Sequence, residues 1–556
     1  MNFNFNRSNP YVYNTSFKPS DKPKKKIFAV VTVLALIVVL ATLYFYHPPF
    51  NWHSPAFVYY LMLIIGGGYI LALLAFALGV IKGNGFKRAS KVFATATVAS
   101  VLVITLSSIA TSRIFNAKEY ANRLTVESSD FTFVPEVDFT KTPIIDRVST
   151  LALGDRVMGQ MPELVSQFEV SNDYTQISYR DSVYRVTPLE YADVFKYFTN
   201  RSEGIPAYIL VNSTTGETEL VRLKDLGLEG MRYVPSGLFN ENLMRKLQIT
   251  YPTKIFGSPS FEIDEDGRPW YICTTYTYKA MGTKKMVDGV VLFDPITGES
   301  TYYEDPLKAP KWVDRIYSES LIIEEFDDYG SLRGGFLNSM FGQKDVFVSS
   351  EGYNYLESGG DIWIYSGITS ANSDAANLGF YLVNLRTHEA RLITSAGANE
   401  VSAMSSAEGS VRNFGYKATF PLLVNVNNRP VYLMSLKDDA GLIKMYAMVD
   451  ATNYQIVETV GIDEGLDTLK TRFLGGQIIV PDSELEHKTI TITSLRFLNV
   501  GNGSVCYIVG EDGQKYRLTI DKNNVDLAGF INVGDRLEVT YHPSDINLIK
   551  DAKTLN

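Results

Sequence analysis

Three stretches near the N-terminus carry no charged side chain: residues 27–46, 57–81 and 92–111. At 1.5 Å per residue, about twenty apolar residues in a helix cross a hydrocarbon core of roughly 30 Å. The first stretch is too long for a signal peptide and lacks a small-residue cleavage site. It ends in Tyr44, Phe45 and Tyr46, an interfacial aromatic belt, so it reads as a span. Beyond residue 112 the pattern changes to short apolar runs broken by Gly, Asn, Asp and Pro, which predicts strands and turns.

Within that region one hairpin pattern recurs. The segments 209–217, 292–299, 381–389 and 447–455 each have an apolar strand, then Asn212, Asp294, Asn384 or Asp450, then a tight turn and a second strand. An Asn or Asp at the first turn position bonds its own backbone, and a later Gly accepts positive φ. A second hairpin precedes each one, at 174–186, 261–271, 355–365 and 423–432, and its second strand carries Tyr184, Tyr271, Tyr365 or Tyr432. Four related units of about 40–50 residues follow, a length that suits propeller blades as well as small α+β modules. The segment 187–198 tips the reading toward α+β modules in a row. With Thr187 as N-cap and Pro188 at the first position it predicts a helix, and further helices are expected at 237–248 and 312–327.

Residues 488–556 predict five short strands with a hairpin turn at Glu511, Asp512 and Gly513, the pattern of a small OB-like barrel. The expected fold class is therefore a membrane anchor of three transmembrane helices, a β-rich α+β ectodomain of repeated hairpin modules, and a C-terminal OB-like barrel. The domains are a cytoplasmic basic tail (1–26), the anchor (27–112), a stalk or linker (113–145), the repeat ectodomain (146–480) and the barrel (488–556).

Charge separates the two regions. Residues 1–112 hold ten basic side chains and one acid, Asp21; of 52 basic and 61 acidic residues in all, 42 and 60 remain for the rest. Basic residues flank the spans at Arg7, Lys18, Lys22, Lys24, Lys25 and Lys26, and again at Lys82, Lys87, Arg88 and Lys91, while residues 47–56 have none. The positive-inside rule then puts the N-terminus in the cytoplasm and everything after about residue 113 outside. An acidic ectodomain is a poor partner for nucleic acid, because phosphate contacts need clustered Lys and Arg. No ionisable residue lies within the spans, which argues for an anchor and against an ion path. Gly66, Gly67 and Gly68 suit close helix packing, with a partner's docking groove as the alternative. Cys273 and Cys506 read as two separate buried thiols; a bridge between them is the alternative.

No phosphate-binding loop, dinucleotide fingerprint, metalloprotease His pair or nucleophile elbow occurs, so no catalytic, cofactor or metal site is predicted. Asp264, Glu265, Asp266 and Gly267 resemble part of a calcium loop without its distal Glu and read as a solvated turn. Glu324, Glu325, Asp327 and Asp328 read as a solvated helix end. Trp270, Tyr271, Trp363 and Tyr365 recur at matching places and are the ligand-binding candidates, with core packing as the alternative.

The phrases VNSTTGE (211–217) and FDPITGE (293–299) resemble the strand-turn-strand core of PepSY domains, small exported modules of bacterial envelopes. The stretch from Asp146 through GDRVMGQMPELVSQFEVS (154–171) to GIPAYILVN (204–212) resembles uncharacterised multi-pass envelope proteins of Gram-positive bacteria. The resemblance implies an envelope location and carries over no catalytic residue. The expected function is a non-catalytic scaffold, sensor or regulatory binding protein of the cell envelope. Its expected partners are the lipid bilayer and either another envelope protein or a wall polymer. A carboxylate-dependent hydrolase of wall glycan and an accessory subunit of a membrane complex are the alternatives.

Overall fold

The structure, a computed structural model, describes residues 22–371, 376–474, 486–500, 503–520, 524–543 and 546–555; most of the expected basic tail lies outside them. The chain forms two compact units. The first comprises the described residues of Met1–Thr111 with Met244–Ile255 and Tyr278–Lys284; the second holds the rest.

The first unit contains three helices long and apolar enough to cross a membrane, α1 (Lys22–Tyr46), α2 (Pro55–Ala77) and α3 (Gly83–Ala110). Their apolar side chains, Leu36, Leu63 and Val103 among them, are exposed. Of residues 82–91, expected as a loop, all but the N-cap Lys82 form the start of α3, because Lys and Arg are good helix formers although they interrupt the apolar run. Of the Gly triplet only Gly68 meets a neighbour, the Phe93 ring; nothing lies within 4 Å of a Cβ built on Gly66 or Gly67. The loop after α1 is clasped by the 244–255 segment, where Arg245 Nε donates to Tyr44 O (3.0 Å) and Phe50 N to Pro252 O (2.6 Å).

In the second unit, residues 113–145 are not a free stalk. Helix α4 (Arg113–Ala121) buries Tyr120 and Ala121 against Leu332, and Leu124 is in the core. Strand Val126–Ser129 then pairs parallel with Ala390–Ile393. The apolar residues of this stretch have surface to bury, so it cannot behave as a solvated linker.

Four sheets follow. In the first, Phe168–Val170 and Thr175–Tyr179 both pair with Ser182–Tyr191, followed by Ala207–Asn212 and Thr218–Arg222. In the second, Ile255–Phe256 and Ser260–Ile263 pair with Pro269–Ala280, followed by Thr283–Phe293 and Ser300–Tyr303. In the third, Phe347–Ser349 and Asn354–Ser358 pair with Asp361–Ser370, then Ala376–Asn384 and Ala390–Ala398. In the fourth, Lys417–Ala418 and Leu422–Val426 pair with Arg429–Lys437, then Ile443–Asp450 and Val457–Gly461.

Residues 187–198 are not one helix. Thr187 and Pro188 lie in strand Ser182–Tyr191, opposite the break between Val170 and Thr175, where the ladder asks no N–H of Pro188. The helix starts at Val194, and Asp193 caps it by accepting from Phe195 N (2.7 Å) and Lys196 N (2.9 Å). The helices expected at 237–248 and 312–327 begin later than expected, as Leu243–Thr250 and Glu319–Leu332.

The Asn and Asp residues that open the turns do what their chemistry predicts. Asn212 Oδ1 accepts from Thr214 N and Thr215 N (2.9 Å each), and Asp294 Oδ1 from Ile296 N (2.8 Å) and Thr297 N (3.2 Å). Asn384 binds Arg386 N and Thr387 N, and Asp450 binds Thr452 N and Asn453 N, in the same way. Gly216, Gly298 and His388 each stand four residues after the Asn or Asp of their turn, with φ of 75°, 76° and 63°. The aromatic alignment differs from expectation. Ser182, Pro269, Asp361 and Arg429 each open the second strand of the preceding hairpin, opposite Tyr179, Ile263, Ser358 and Val426. Two residues on come Tyr184, Tyr271, Trp363 and Val431, so Trp363 and Val431 hold the places expected for Tyr365 and Tyr432.

The third and fourth sheets share a core of Tyr365, Phe380, Leu382, Tyr432 and Met434. Helix Glu319–Leu332 covers the third sheet's other face, with Phe326 stacked on Tyr381 at 3.7 Å. A closed five-stranded barrel ends the chain, its strands Glu486–Val500, Gly503–Gly510, Lys515–Ile520, Asn547–Leu555 and Arg536–His542 in that order around it.

Candidate functional site

The first strands of the sheets are rich in buried polar side chains. Gln176 and Arg185 face each other across a hairpin of the first sheet, 6% exposed each. Arg185 donates to Ile145 O and to Thr150 Oγ1 (3.0 Å), and burial lowers its pKa to about 10. Glu319, the first residue of its helix, is held by Arg315 and receives the Tyr355 hydroxyl at 2.7 Å. Burial works against its ionisation, but these partners keep its carboxyl below the ordinary value.

These residues border a cavity with two lobes. One, of about 230 Å³, is bounded by Gln176, Glu190, Tyr271, Arg315, Glu319 and Tyr355. The other, of about 270 Å³, is bounded by Ile144, Gln176, Arg185, Asn354, Phe420 and Met434. Arg147, Tyr174, Gln176, Tyr353 and Tyr355 belong to both walls. Each lobe falls somewhat below the roughly 300–1,000 Å³ of small-molecule sites. Neither amide atom of Gln176 has a hydrogen-bond partner, and nor has the Tyr271 hydroxyl. Tyr271 is 2% exposed; burial, with Glu190 and Asp173 nearby, drives its pKa well up. Burial likewise pushes the Glu190 carboxyl up.

A second polar cluster lies beside this cavity and lines neither lobe. Glu262 accepts from Asp314 N (2.8 Å) and Arg315 N (3.1 Å), and Asp314 accepts from Ser178 N (2.7 Å). Both acids are sealed in, at 0% and 1% exposure, and burial raises both carboxyls. Each ties a strand to the segment that follows the second sheet, a pinning role that needs no substrate.

Of the four aromatic candidates only Tyr271 lines the cavity. Trp363 and Tyr365 are buried in the core between the third and fourth sheets. Trp363 Nε1 donates to Ser358 O (3.2 Å), and the Tyr365 hydroxyl lies between Pro421 O and Leu423 N. Trp270 is half-buried, donates to Asp264 Oδ2 (3.0 Å), and its ring lies 5.9 Å from that of Trp312. The four therefore form no common binding row. The acids 324–328 are not a solvated face either: Asp328 is buried against Arg113 and Arg123, and Glu325 lies 2.7 Å from His388 Nε2. Asp264 closes its own turn, accepting from Asp266 N (3.1 Å) and Arg268 N (2.9 Å). Cys273 and Cys506 are unbridged and buried. Among the described residues no group of three or more His, Cys, Asp or Glu side chains could hold a metal ion.

Sequence reasoning missed Gln176, Arg185, Glu190 and Glu319. The available signal was a polar residue inside a short strand that is buried on both faces, as in Thr175–Tyr179.

No family model matches the chain, and no curated protein sequence matches it. Solved structures with a slight likeness include a mutant of an apocarotenoid oxygenase from Synechocystis, 9% identical, with a TM-score of 0.12. That match covers 70% of this chain and 65% of the oxygenase chain, under two thirds of it. The C-terminal domain of PilY1 from Pseudomonas aeruginosa is also 9% identical, with a TM-score of 0.12, over 66% of this chain and 69% of that one. Likenesses this slight carry no argument.

Proposed function

We propose that the protein is a membrane-anchored binding protein of the cell envelope, a sensor or scaffold whose large unit is extracytoplasmic and takes a ligand into the two-lobed cavity. The observation that carries this reading is the polar cavity itself, whose two lobes share the wall made by Arg147, Tyr174, Gln176, Tyr353 and Tyr355 and are flanked by Arg185, Glu190 and Glu319. The protein purified from its own membranes is expected to carry a small molecule in native mass spectrometry, and to lose it on Gln176→Leu. Identical ligand-free masses for both forms would remove the basis of the reading.

The Lys and Arg flanks support an outside location, and protease added to wall-stripped cells should then cut the large unit. Full protection of residues 113–556 would refute that orientation. The architecture belongs to the same proposal. The four sheets are four copies of one blade-like unit, and the barrel is of the OB type. A shared strand order, with the first strand split in two, supports the former, as do the four turns closed by an Asn or Asp side chain. The phrases shared with PepSY modules lie in these turns. The barrel order first-second-third-fifth-fourth supports the latter, as does a helix, Val525–Phe530, between its third and fourth strands.

A further inference from the structure

We infer that the lobe bounded by Arg185 takes a small monocarboxylate with an apolar body, its carboxylate on the Arg185 guanidinium and its body against Ile144, Phe420, Leu422, Leu433 and Met434. The inference rests on the binding reading above and adds the chemical class.

Three observations carry it. Arg185 lines this lobe at 6% exposure, and among the described residues no carboxylate pairs with it. Both of its hydrogen bonds, to Ile145 O and Thr150 Oγ1, leave from Nη1. Nε and Nη2 have no partner among the described residues, and unlike the amide atoms of Gln176 they are not sealed in. Together they are one edge of the guanidinium fork, two parallel N–H donors that match the two oxygens of a carboxylate. Second, the lobe holds surplus positive charge. Its wall carries one carboxylate, Asp146, already held by Lys437 Nζ at 2.5 Å and by the N–H groups of Val148 and Ser149. Arg147, on the shared wall, has Asp173 and Glu190 on the other lobe to balance it. The charge of Arg185 is left over, and a buried charge is costly until an opposite one meets it. A single surplus charge suits a monoanion better than a phosphate dianion. Third, the remaining wall is apolar: Ile144, Leu422, Leu433 and Met434 are buried beside the half-buried Phe420 ring. A volume of about 270 Å³ limits the guest to a small acid.

The full chain is placed in phosphatidylcholine nanodiscs and titrated calorimetrically at pH 7, with empty nanodiscs as the blank for partitioning into lipid. The probes are isovalerate, hexanoate and phenylacetate, the neutral amide of each, and inorganic phosphate. At least one acid is expected to bind, and its amide to bind tenfold or more weakly. Arg185→Met should abolish that preference, and a cooperative melt without ligand shows that the variant folds. Should it not fold, Phe420→Glu sets a competing carboxylate on the opposite wall and should weaken the acid tenfold or more while leaving its amide little changed. An acid and its amide binding alike would overturn the inference, as would an acid whose binding survives these substitutions. Phosphate binding as tightly as the acids, and lost on Arg185→Met, would overturn the carboxylate class and leave the binding reading standing. No binding by any probe overturns the class as well, and the mass-spectrometric comparison then decides separately whether the cavity holds anything.

Discussion

Gly298 and Gly216 make a matched pair that separates two costs of a side chain in a tight turn. Both sit four residues after the side chain that opens the turn, Asp294 or Asn212, with φ of 76° and 75°. Alanine in this left-handed region costs about 1–2 kcal/mol. The stiffer unfolded chain returns roughly 0.4–1 kcal/mol of that. At Gly216 the new Cβ meets Ile145 and Leu153 at ordinary distances of 3.6 Å, so Gly216→Ala should cost only about 1 kcal/mol. At Gly298 the Cβ would stand 2.7 Å from the Tyr233 ring. Tyr233 cannot simply move aside: its N–H bonds Pro295 O at 2.9 Å, and its ring packs 6.2 Å from that of Phe293. Overpacking of this kind adds roughly 1–3 kcal/mol, so Gly298→Ala should cost about 2–4 kcal/mol. Hydrogen exchange read by mass spectrometry reports each hairpin separately, in peptides covering 207–222 and 290–303. The expected result is faster exchange in both variants, with the larger loss of protection at Gly298. Equal losses would show that the Tyr233 contact costs nothing, and no loss in either would refute the turn geometry.

Asp328→Ala should destabilise the protein by up to about 3–5 kcal/mol in thermal or denaturant unfolding, because it takes from the fully buried Arg123 side chain the nearer of its two carboxylates. Glu324→Ala, at the exposed end of the same cluster, should cost under about 1 kcal/mol. Burial pushes the Glu262 carboxyl from 4.5 up to about 7, so the folded state holds its proton more tightly than the unfolded state. Stability from this group is then full below about pH 4.5 and falls as pH rises toward 7, by on the order of 3 kcal/mol. Glu262→Gln should flatten that part of the pH–stability curve, and an unchanged slope would count against the burial argument. Burial raises the Cys273 thiol and pushes that of Cys506 up to about 11, so neither should react with maleimide at pH 7 until the protein unfolds.

The turns were legible in the sequence because their chemistry is local. Asn212, Asp294, Asn384 and Asp450 bond backbone groups two and three residues on, and nothing distant can displace that preference. The three long apolar helices were legible for the same reason, each being set by an unbroken apolar run. Residues 187–198 were misread because Thr followed by Pro signals a helix start only when no sheet offers a gap for the proline. Here the split first strand supplied the gap opposite Pro188, and the true cap, Asp193, lay six residues further on.

The acids 324–328 and the cavity were illegible for a different reason. Whether a carboxylate is solvated depends on what arrives from far along the chain. Asp328 is buried because Arg113 and Arg123, more than 200 residues earlier, come to meet it. Gln176 lines a cavity because Tyr271 and Glu319 close one lobe while Phe420 and Met434 close the other. A strand-interior Gln alone cannot be told from one whose amide is satisfied. What separates the two cases is the absence of any partner for Gln176 after the sheets have packed, a property of the assembled fold. The same reasoning sets Glu262 apart from Gln176 although both are buried polar residues on first strands. Glu262 receives two backbone N–H groups from the segment that follows the second sheet, so its polarity is spent on holding the fold. The amide of Gln176 is spent on nothing, so its polarity, unlike that of Glu262, does not tie one part of the fold to another.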